Sequence, residues 1–214
     1  MIYNIDDLIK RLPSLAVCRE NIENSGRLLT NQFSKGNKLL ICGNGGSAAD
    51  SEHISGELLK GFLSKRPLSR EKIDEYNKNC PEFGDNDAKN LQEGLPAIPL
   101  TSLSALSTAF SNDVNPDYVF AQGVMALGSP GDVLIGISTS GNSQNVLNAA
   151  KTAKAKGLYV IGLTGADGGK LKELSDYTIK VPEKETFMVQ ELHIGVYHYL
   201  CAYCENEIFG RSDS

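Results

Sequence analysis

The sequence predicts an α/β fold, a three-layer αβα sandwich with a central parallel sheet. Two observations carry the prediction. Short apolar runs such as Leu39-Leu40-Ile41-Cys42, Val133-Leu134-Ile135-Gly136-Ile137 and Tyr159-Val160-Ile161-Gly162-Leu163 alternate with stretches of helical pattern. Strands buried on both faces read this way, because helices cover the sheet above and below. Two of these runs also end in loops of small residues just ahead of a helix. They are Gly43-Asn44-Gly45-Gly46-Ser47 and Ser138-Thr139-Ser140-Gly141-Asn142-Ser143. A strand, a tight loop of hydroxyl and amide residues and a helix N-terminus together hold phosphate well. Backbone N–H groups and hydroxyls reach the anion there, and the helix dipole favours negative charge.

Residues 4–35 read as helical, with Leu8, Ile9, Leu12, Leu15, Ile22, Leu28, Leu29 and Phe33 on a broad apolar face. Pro13 is expected to kink or split this stretch. A strand at 38–42, the first loop and a helix at 47–62 follow. Residues 64–95 hold many charges with Pro67, Pro81, Gly84 and Gly94. They read as an irregular insertion in a single domain spanning 1–214, with helix near 69–78 and 86–92. Further strands are expected at 97–100, 132–137, 159–163 and 177–181. Helices are expected at 102–111, 116–126 and 143–156, the last closed by Lys156-Gly157. Residues 164–169 form a glycine-rich turn. A long helix fills 185–208, so long helices stand at both termini.

The composition narrows the partners. A net charge of −5 gives no general attraction to nucleic acid or to an anionic membrane. No apolar run approaches the roughly 20 residues that span a bilayer. Residues 1–7 lack the basic and apolar regions of a signal peptide, so a cytoplasmic location is expected. The five cysteines are irregularly spaced. Cys201 and Cys204 form a CxxC, but no second Cys or His pair lies nearby to complete a zinc knuckle. They are expected to be small apolar residues one turn apart on a helix.

The loops lack the GxGxxG fingerprint of a dinucleotide site and the GxxxxGK[ST] of a nucleotide triphosphate site. A small phosphate ester is the ligand they suit, and it should lie beyond the carboxyl ends of the strands. His53 and Glu57 stand four apart on the helix after the first loop, which places them on one face. A surface ion pair would show the same spacing. The terminal helix carries Gln190, His193 and His198, and spacing alone does not decide which histidine faces the site. Two histidines, a glutamate and a glutamine amide are a plausible ligand set for zinc or a similar cation. A carboxylate and an imidazole are equally a proton-transfer pair without metal. Asn112-Asp113, expected in a loop after a short helix, could hold sugar hydroxyls or simply form a turn ahead of Pro116.

Taken together, these segments resemble a sugar isomerase (SIS) domain and, more closely, the phosphoheptose isomerases. The resemblance rests on the GNGGS loop, His53xxxGlu57, Asn112-Asp113, the segment from Gly131 through STSGNS, Leu163-Thr164-Gly165-Ala166-Asp167-Gly168-Gly169, and Gln190-Glu191-Leu192-His193 with His198. It covers residues 20–208. STSGNS-type loops occur in many SIS proteins; the HxxxE and QExHxxxxH elements together are far more specific.

The resemblance implies an aldose–ketose isomerase. It would convert sedoheptulose 7-phosphate to D-glycero-D-manno-heptose 7-phosphate through a cis-enediol. Glu57 then looks like the base and His198 like the acid. One zinc per subunit would sit on His53, Glu57, Gln190 and His198. Ser138, Thr139, Ser140 and Ser143 look like the phosphate cradle. Asn44, Gly45, Gly46 and Ser47, with Asn112, Asp113, Glu57 and Gln190, look like the remaining substrate contacts. The family also implies a homotetramer with sites at subunit interfaces. An alternative on the same fold is a regulatory protein that binds a replication initiator or senses a sugar phosphate. Two features differ from the family pattern. Members commonly carry arginine four residues after the base glutamate, where this chain has Gly61 preceded by Lys60. The 64–95 segment is also long.

Overall fold

Successive residues of a strand point to opposite faces of its sheet, and the runs at 39–42, 133–137 and 160–163 are buried on both. In the computed structural model, which describes residues 3–210, five strands form one parallel sheet. Positions 1–2 and 211–214, included in the single-domain reading, lie outside the described residues. The strands are β1 (Leu39–Cys42), β2 (Ala97–Pro99), β3 (Val133–Ile137), β4 (Tyr159–Thr164) and β5 (Tyr177–Lys180), in the order β2-β1-β3-β4-β5. Leu39, Ile41, Val133, Ile135, Ile137 and Ile161 enter one core. Leu40, Cys42, Leu134 and Val160, the intervening positions, enter the other.

Helices close both cores. On the first face lie α1 (Ile5–Arg11), α2 (Arg19–Ser34), α3 (Gly46–Leu59) and α10 (Thr186–Phe209), contributing Leu8, Ile22, Leu29, Ile54, Leu58, Val196 and Leu200. On the second lie α7 (Val119–Leu127) and α8 (Gln144–Ala155), contributing Val124, Val146, Leu147, Ala149 and Ala150. This is the expected three-layer αβα sandwich. Each fully buried Leu, Ile or Val contributes about 1.5–3 kcal/mol.

Local chemistry sets the ends. Asn4 accepts from the Asp7 N–H at 3.0 Å and Asp7 accepts from the Asn4 N–H at 3.1 Å, a reciprocal cap that starts α1. Pro13 opens a 3₁₀ turn, Pro13–Cys18, which divides the first helical stretch in two as expected. Cys201 and Cys204 are free and buried within α10.

Three placements differ from the sequence reading. Asn112 and Asp113 are the last residues of α6 (Ser104–Asp113), not a loop. Pro116 disfavours helix at the residue before it, and Asn115 is accordingly extended (φ −166°). The helix therefore runs to Asp113. The 116–126 helix is a 3₁₀ turn, Pro116–Tyr118, followed by α7. A one-turn helix, α9 (Leu171–Leu174), follows the 164–169 turn and is anchored by buried Leu171.

The 64–95 segment contains α4 (Arg70–Asn79) and α5 (Gly84–Asn90). Tyr76 of α4 packs against Phe83, the residue that precedes α5, with ring centres 5.4 Å apart. No residue of α4 is buried. A narrow neck joins this arm to the body. Pro67 bridges Gln92, and the Glu93 N–H donates to the Arg66 carbonyl at 2.7 Å.

Candidate active site

The strand order places the site. The chain runs from β1 to β2 on one side of the sheet, then passes back beyond β1 to β3 on the other. The crevice at the carboxyl ends of β1 and β3 is where such sheets bind ligands. Both small-residue loops meet there. Asn44 and Asn145 exchange amide hydrogen bonds of 2.9 Å in both directions, tying the first loop to the start of α8. Neither α3 nor α8 has a side-chain hydrogen bond from its N-cap residue, Gly45 or Ser143. Part of each first turn is bonded internally, Ser47 N–H to the Asn44 carbonyl and Val146 N–H to Asn145 Oδ1, and the remaining backbone donors of the two helix N-termini lie at the same crevice.

Ser138 is buried, Thr139 and Ser143 half-buried, and Ser140 exposed. The Ser138 and Ser143 hydroxyls are 3.0 Å apart. Behind them the 164–171 turn supports the loop. The Gly165 N–H donates to the Thr139 carbonyl at 2.9 Å and the Leu171 N–H to the Gly141 carbonyl at 3.0 Å. Gly141 has φ +66°, and a Cβ there would lie 2.1 Å from the Gly168 carbonyl oxygen. Gly141→Ala is therefore expected to push the two turns apart. KM for a sugar phosphate should rise at least about tenfold, a cost of about 1.4 kcal/mol in binding. Steady-state kinetics checks this.

A second cluster forms along α3 and α10. His53 Nε2 lies 3.3 Å from Glu57 Oε1, and Lys60 Nζ lies 3.0 Å from Glu57 Oε2. The His198 ring stands 5.0 Å from the His53 ring and 5.6 Å from Phe62. His198 also lines a cavity of about 330 Å³ with Tyr3, Arg11, Phe62 and Leu63. Burial pushes the Glu57 carboxyl up, but hydrogen bonding and charge from Lys60, with His53, hold it below the ordinary range. Burial and the neighbouring His53 push His198 down, partly against the Glu57 charge. Glu57 is thus ionised at neutral pH, and His198 is a neutral imidazole that can still donate an N–H.

The structure separates other expected partners. Gln190 lies over the first loop, where a Cβ on Gly46 would meet its Nε2 at 2.4 Å. From Ser47, the buried residue beside that loop, to Glu57 the chain climbs about 15 Å along α3. Asn112 and Asp113 are exposed, and the Asn112 amide donates to the Asp113 carboxylate at 2.8 Å. Two imidazoles and a carboxylate have the donor chemistry zinc prefers. Among the described residues, however, no three His, Cys, Asp or Glu side chains converge on a point that could hold an ion. His53 and Glu57 form a two-atom seat, not a closed cage.

His193 faces the core. It is fully buried, and neither ring nitrogen has a hydrogen-bond partner. Burial pushes it down to about 4, against the nearby Thr164 backbone, which favours the charged form. The unfolded chain binds this proton near its ordinary value of 6.5, so His193 contributes stability above that pH. That contribution, about 3 kcal/mol, should be lost as pH falls from about 6.5 to 4. Denaturant midpoints across this range should drop in the native chain, and the part due to this group should vanish in His193→Gln.

Two supports escaped sequence reading. Tyr197 bonds His53 Nδ1 at 2.9 Å and Asp50 Oδ1 at 3.3 Å. Glu205 accepts from the backbone N–H groups of Phe62, Leu63 and Ser64 at 2.8–3.0 Å and from Arg66 Nε at 2.7 Å. Its one available signal was a charged residue directly after the apolar run that ends at Cys204.

A doubly wound parallel sheet with hydroxyl-lined loops at its switch point defines a protein of the SIS class, and the SIS domain family matches residues 4–80 and 88–165. The chain is 41% identical to a phosphoheptose isomerase of Synechocystis sp. over 207 residues, 94% of this chain and 93% of that one. It is 36% identical to a phosphoheptose isomerase of Akkermansia muciniphila, covering 98% of this chain and 95% of that one. A solved phosphoheptose isomerase from Neisseria gonorrhoeae superimposes with TM-score 0.74 at 33% identity, covering 94% of each chain. The chain belongs to the phosphoheptose isomerase family, whose members are aldose–ketose isomerases. No helix among the described residues is long and apolar enough to cross a membrane.

Proposed function

We propose that this chain interconverts sedoheptulose 7-phosphate and D-glycero-D-manno-heptose 7-phosphate through a cis-enediol. The observation that carries the reading is the meeting of Glu57 and His198 around His53, from helices far apart in sequence. Ser138, Thr139, Ser140 and Ser143, with the α8 N-terminus, hold the phosphate. Asn44, Gly45, Gly46, Ser47 and Gln190 line the crevice beside it, and Asn112 and Asp113 bind sugar hydroxyls. Glu57 removes the proton from the carbon beside the carbonyl while His198 supplies a proton to the carbonyl oxygen. The imidazole of His198, left without that proton, then takes the proton of the enediol's other hydroxyl, and Glu57 returns its own to the adjacent carbon. Lys60, 3.0 Å from Glu57, offsets negative charge where the enediol forms.

Zinc would be held by His53, Glu57 and His198; the fourth expected ligand, Gln190, lies over the first loop, eight residues or about 12 Å before His198 along α10, and would have to move to join them. The metal would supply Lewis-acid polarisation of substrate oxygens. Metal analysis of the purified chain and of His53→Ala tests this apart from activity. The active assembly is a homotetramer with sites shared between subunits. The distance along α3 between the loop and Glu57 supports this, as do exposed Leu59, Leu63, Phe187 and Ile194. Its setting is cytoplasmic, in keeping with five free cysteines. Incubation with sedoheptulose 7-phosphate, with and without zinc, followed by NMR, tests the reaction. Aldose formation supports the proposal. No conversion in either condition overturns it and favours a regulatory binding protein.

A further inference from the structure

Three polar side chains in a row run from the interior to His53. Asp50 sits one turn before His53 on α3, is 8% exposed and has one carboxylate oxygen, Oδ2, buried without a partner. Its other oxygen, Oδ1, is 3.3 Å from the Tyr197 hydroxyl. Tyr197 is 2% exposed and touches His53 Nδ1 at 2.9 Å through the same hydroxyl. The opposite ring nitrogen of His53, Nε2, faces Glu57 Oε1 at 3.3 Å.

A phenol has one proton to give. A phenol keeps that proton near neutral pH, its ordinary pKa being about 10. Two acceptors compete for it. If it pointed at His53, the buried Asp50 carboxylate would have no hydrogen bond at all, a costly outcome. If it points at Asp50, the phenol oxygen is free to accept from His53 Nδ1–H. All three groups are then paired. A neutral His53 with its proton on Nδ1 turns the Nε2 lone pair toward the Glu57 carboxylate. Two electron-rich atoms 3.3 Å apart repel unless an electrophile lies between them.

We infer that Asp50 and Tyr197 form a buried relay that fixes His53 as its Nδ1–H tautomer, so that His53 Nε2 and Glu57 Oε1 jointly face an electrophile. Both relay members are positioning residues; neither touches substrate. The electrophile is a divalent cation or a proton in transfer. Because Tyr197 directly precedes His198 on α10, one helix sets the orientation of one imidazole and supplies the other. A carboxylate–hydroxyl–imidazole chain behind a ligand histidine would raise its basicity, and losing such a partner typically costs 10–100-fold in metal affinity or activity.

The test has two arms. The first is independent of the isomerase reading. The chain has three histidines, so ¹⁵N-histidine labelling gives three imidazole patterns that His→Gln variants assign. At about pH 8, where free imidazole is neutral, His53 is expected to show the Nδ1–H pattern in the full chain. In Tyr197→Phe it is expected to switch to Nε2–H, pairing directly with Glu57. An Nε2–H pattern in the native chain overturns the relay, as does an unchanged pattern in a folded Tyr197→Phe. The native spectrum alone decides if that variant does not fold.

The second arm rests on the proposed reaction. Tyr197→Phe and Asp50→Asn should each lower kcat by about 10–100-fold, with KM for the sugar phosphate within about twofold. Zinc affinity, read by chelator competition, should weaken about tenfold. Native kcat in both variants overturns the relay's role in turnover. Absence of turnover in the native chain instead defeats the isomerase reading and leaves the first arm standing.

Discussion

Glu57→Gln should reduce turnover of sedoheptulose 7-phosphate by about 10²–10⁴-fold, the range for losing a positioned general base. The glutamine keeps the size of the side chain and can still accept hydrogen bonds. It cannot take a proton from carbon. The carboxylate is 18% exposed, with His53 on one oxygen and Lys60 on the other. Its replacement should leave the phosphate loop intact, because Ser138 to Ser143 are held by the 164–171 turn, through Thr139, Gly141 and Asn142, and not by α3. Calorimetric binding of the sugar phosphate is therefore expected to stay within about twofold of native, since no phosphate contact is lost. Normal turnover in this variant would remove Glu57 as the base.

The largest stability effect is expected at Glu205. Its side chain is 4% exposed and that of Arg66 is fully buried. Burial pushes the Glu205 carboxyl up. The Phe62 and Leu63 N–H groups, with Arg66, more than reverse this and hold it below the usual range. Arg66 also donates to the Leu58 carbonyl at 2.8 Å and stacks on Phe209 with its guanidinium carbon 4.8 Å from the ring centre. Glu205→Ala would strip Arg66 of its counter-charge and three backbone N–H groups of their acceptor. Removing one partner of a buried pair costs about 3–5 kcal/mol. Urea unfolding should show that loss. A milder Glu205→Gln should recover part of it, because one carbonyl oxygen remains. The effect should also reach activity. Residues 62–64 carry Phe62, which stacks on His198, so kcat should fall even where the variant stays folded.

The sheet was legible because its signal is local and repeated. Leu39 to Cys42 and Val133 to Ile137 are apolar at every position, and only a strand covered on both faces needs that. The loops were legible for a related reason, since Gly45 and Gly141 occupy backbone angles that other residues resist. What stayed hidden depends on rotation about helix axes and on contacts between distant segments. The spacing of Gln190, His193 and His198 was compatible with either histidine facing the site. Packing decides it by sinking His193 and leaving His198 half-buried beside His53. Tyr197 carries no signal in the sequence; only the approach of α10 to α3 brings its hydroxyl to Asp50 and His53. Asn112-Asp113 looked like a turn because the proline was visible, but not how far the preceding helix would extend.

The neck at Pro67 and Gln92 has a practical corollary. A segment that enters and leaves the body at nearly one point can be exchanged without re-threading the rest of the chain. The α4–α5 arm is accordingly a natural port for grafting. A fluorescent reporter, or a short glycine linker, spliced between residues 68 and 91 should leave the Arg66–Glu205 clamp and the sheet undisturbed.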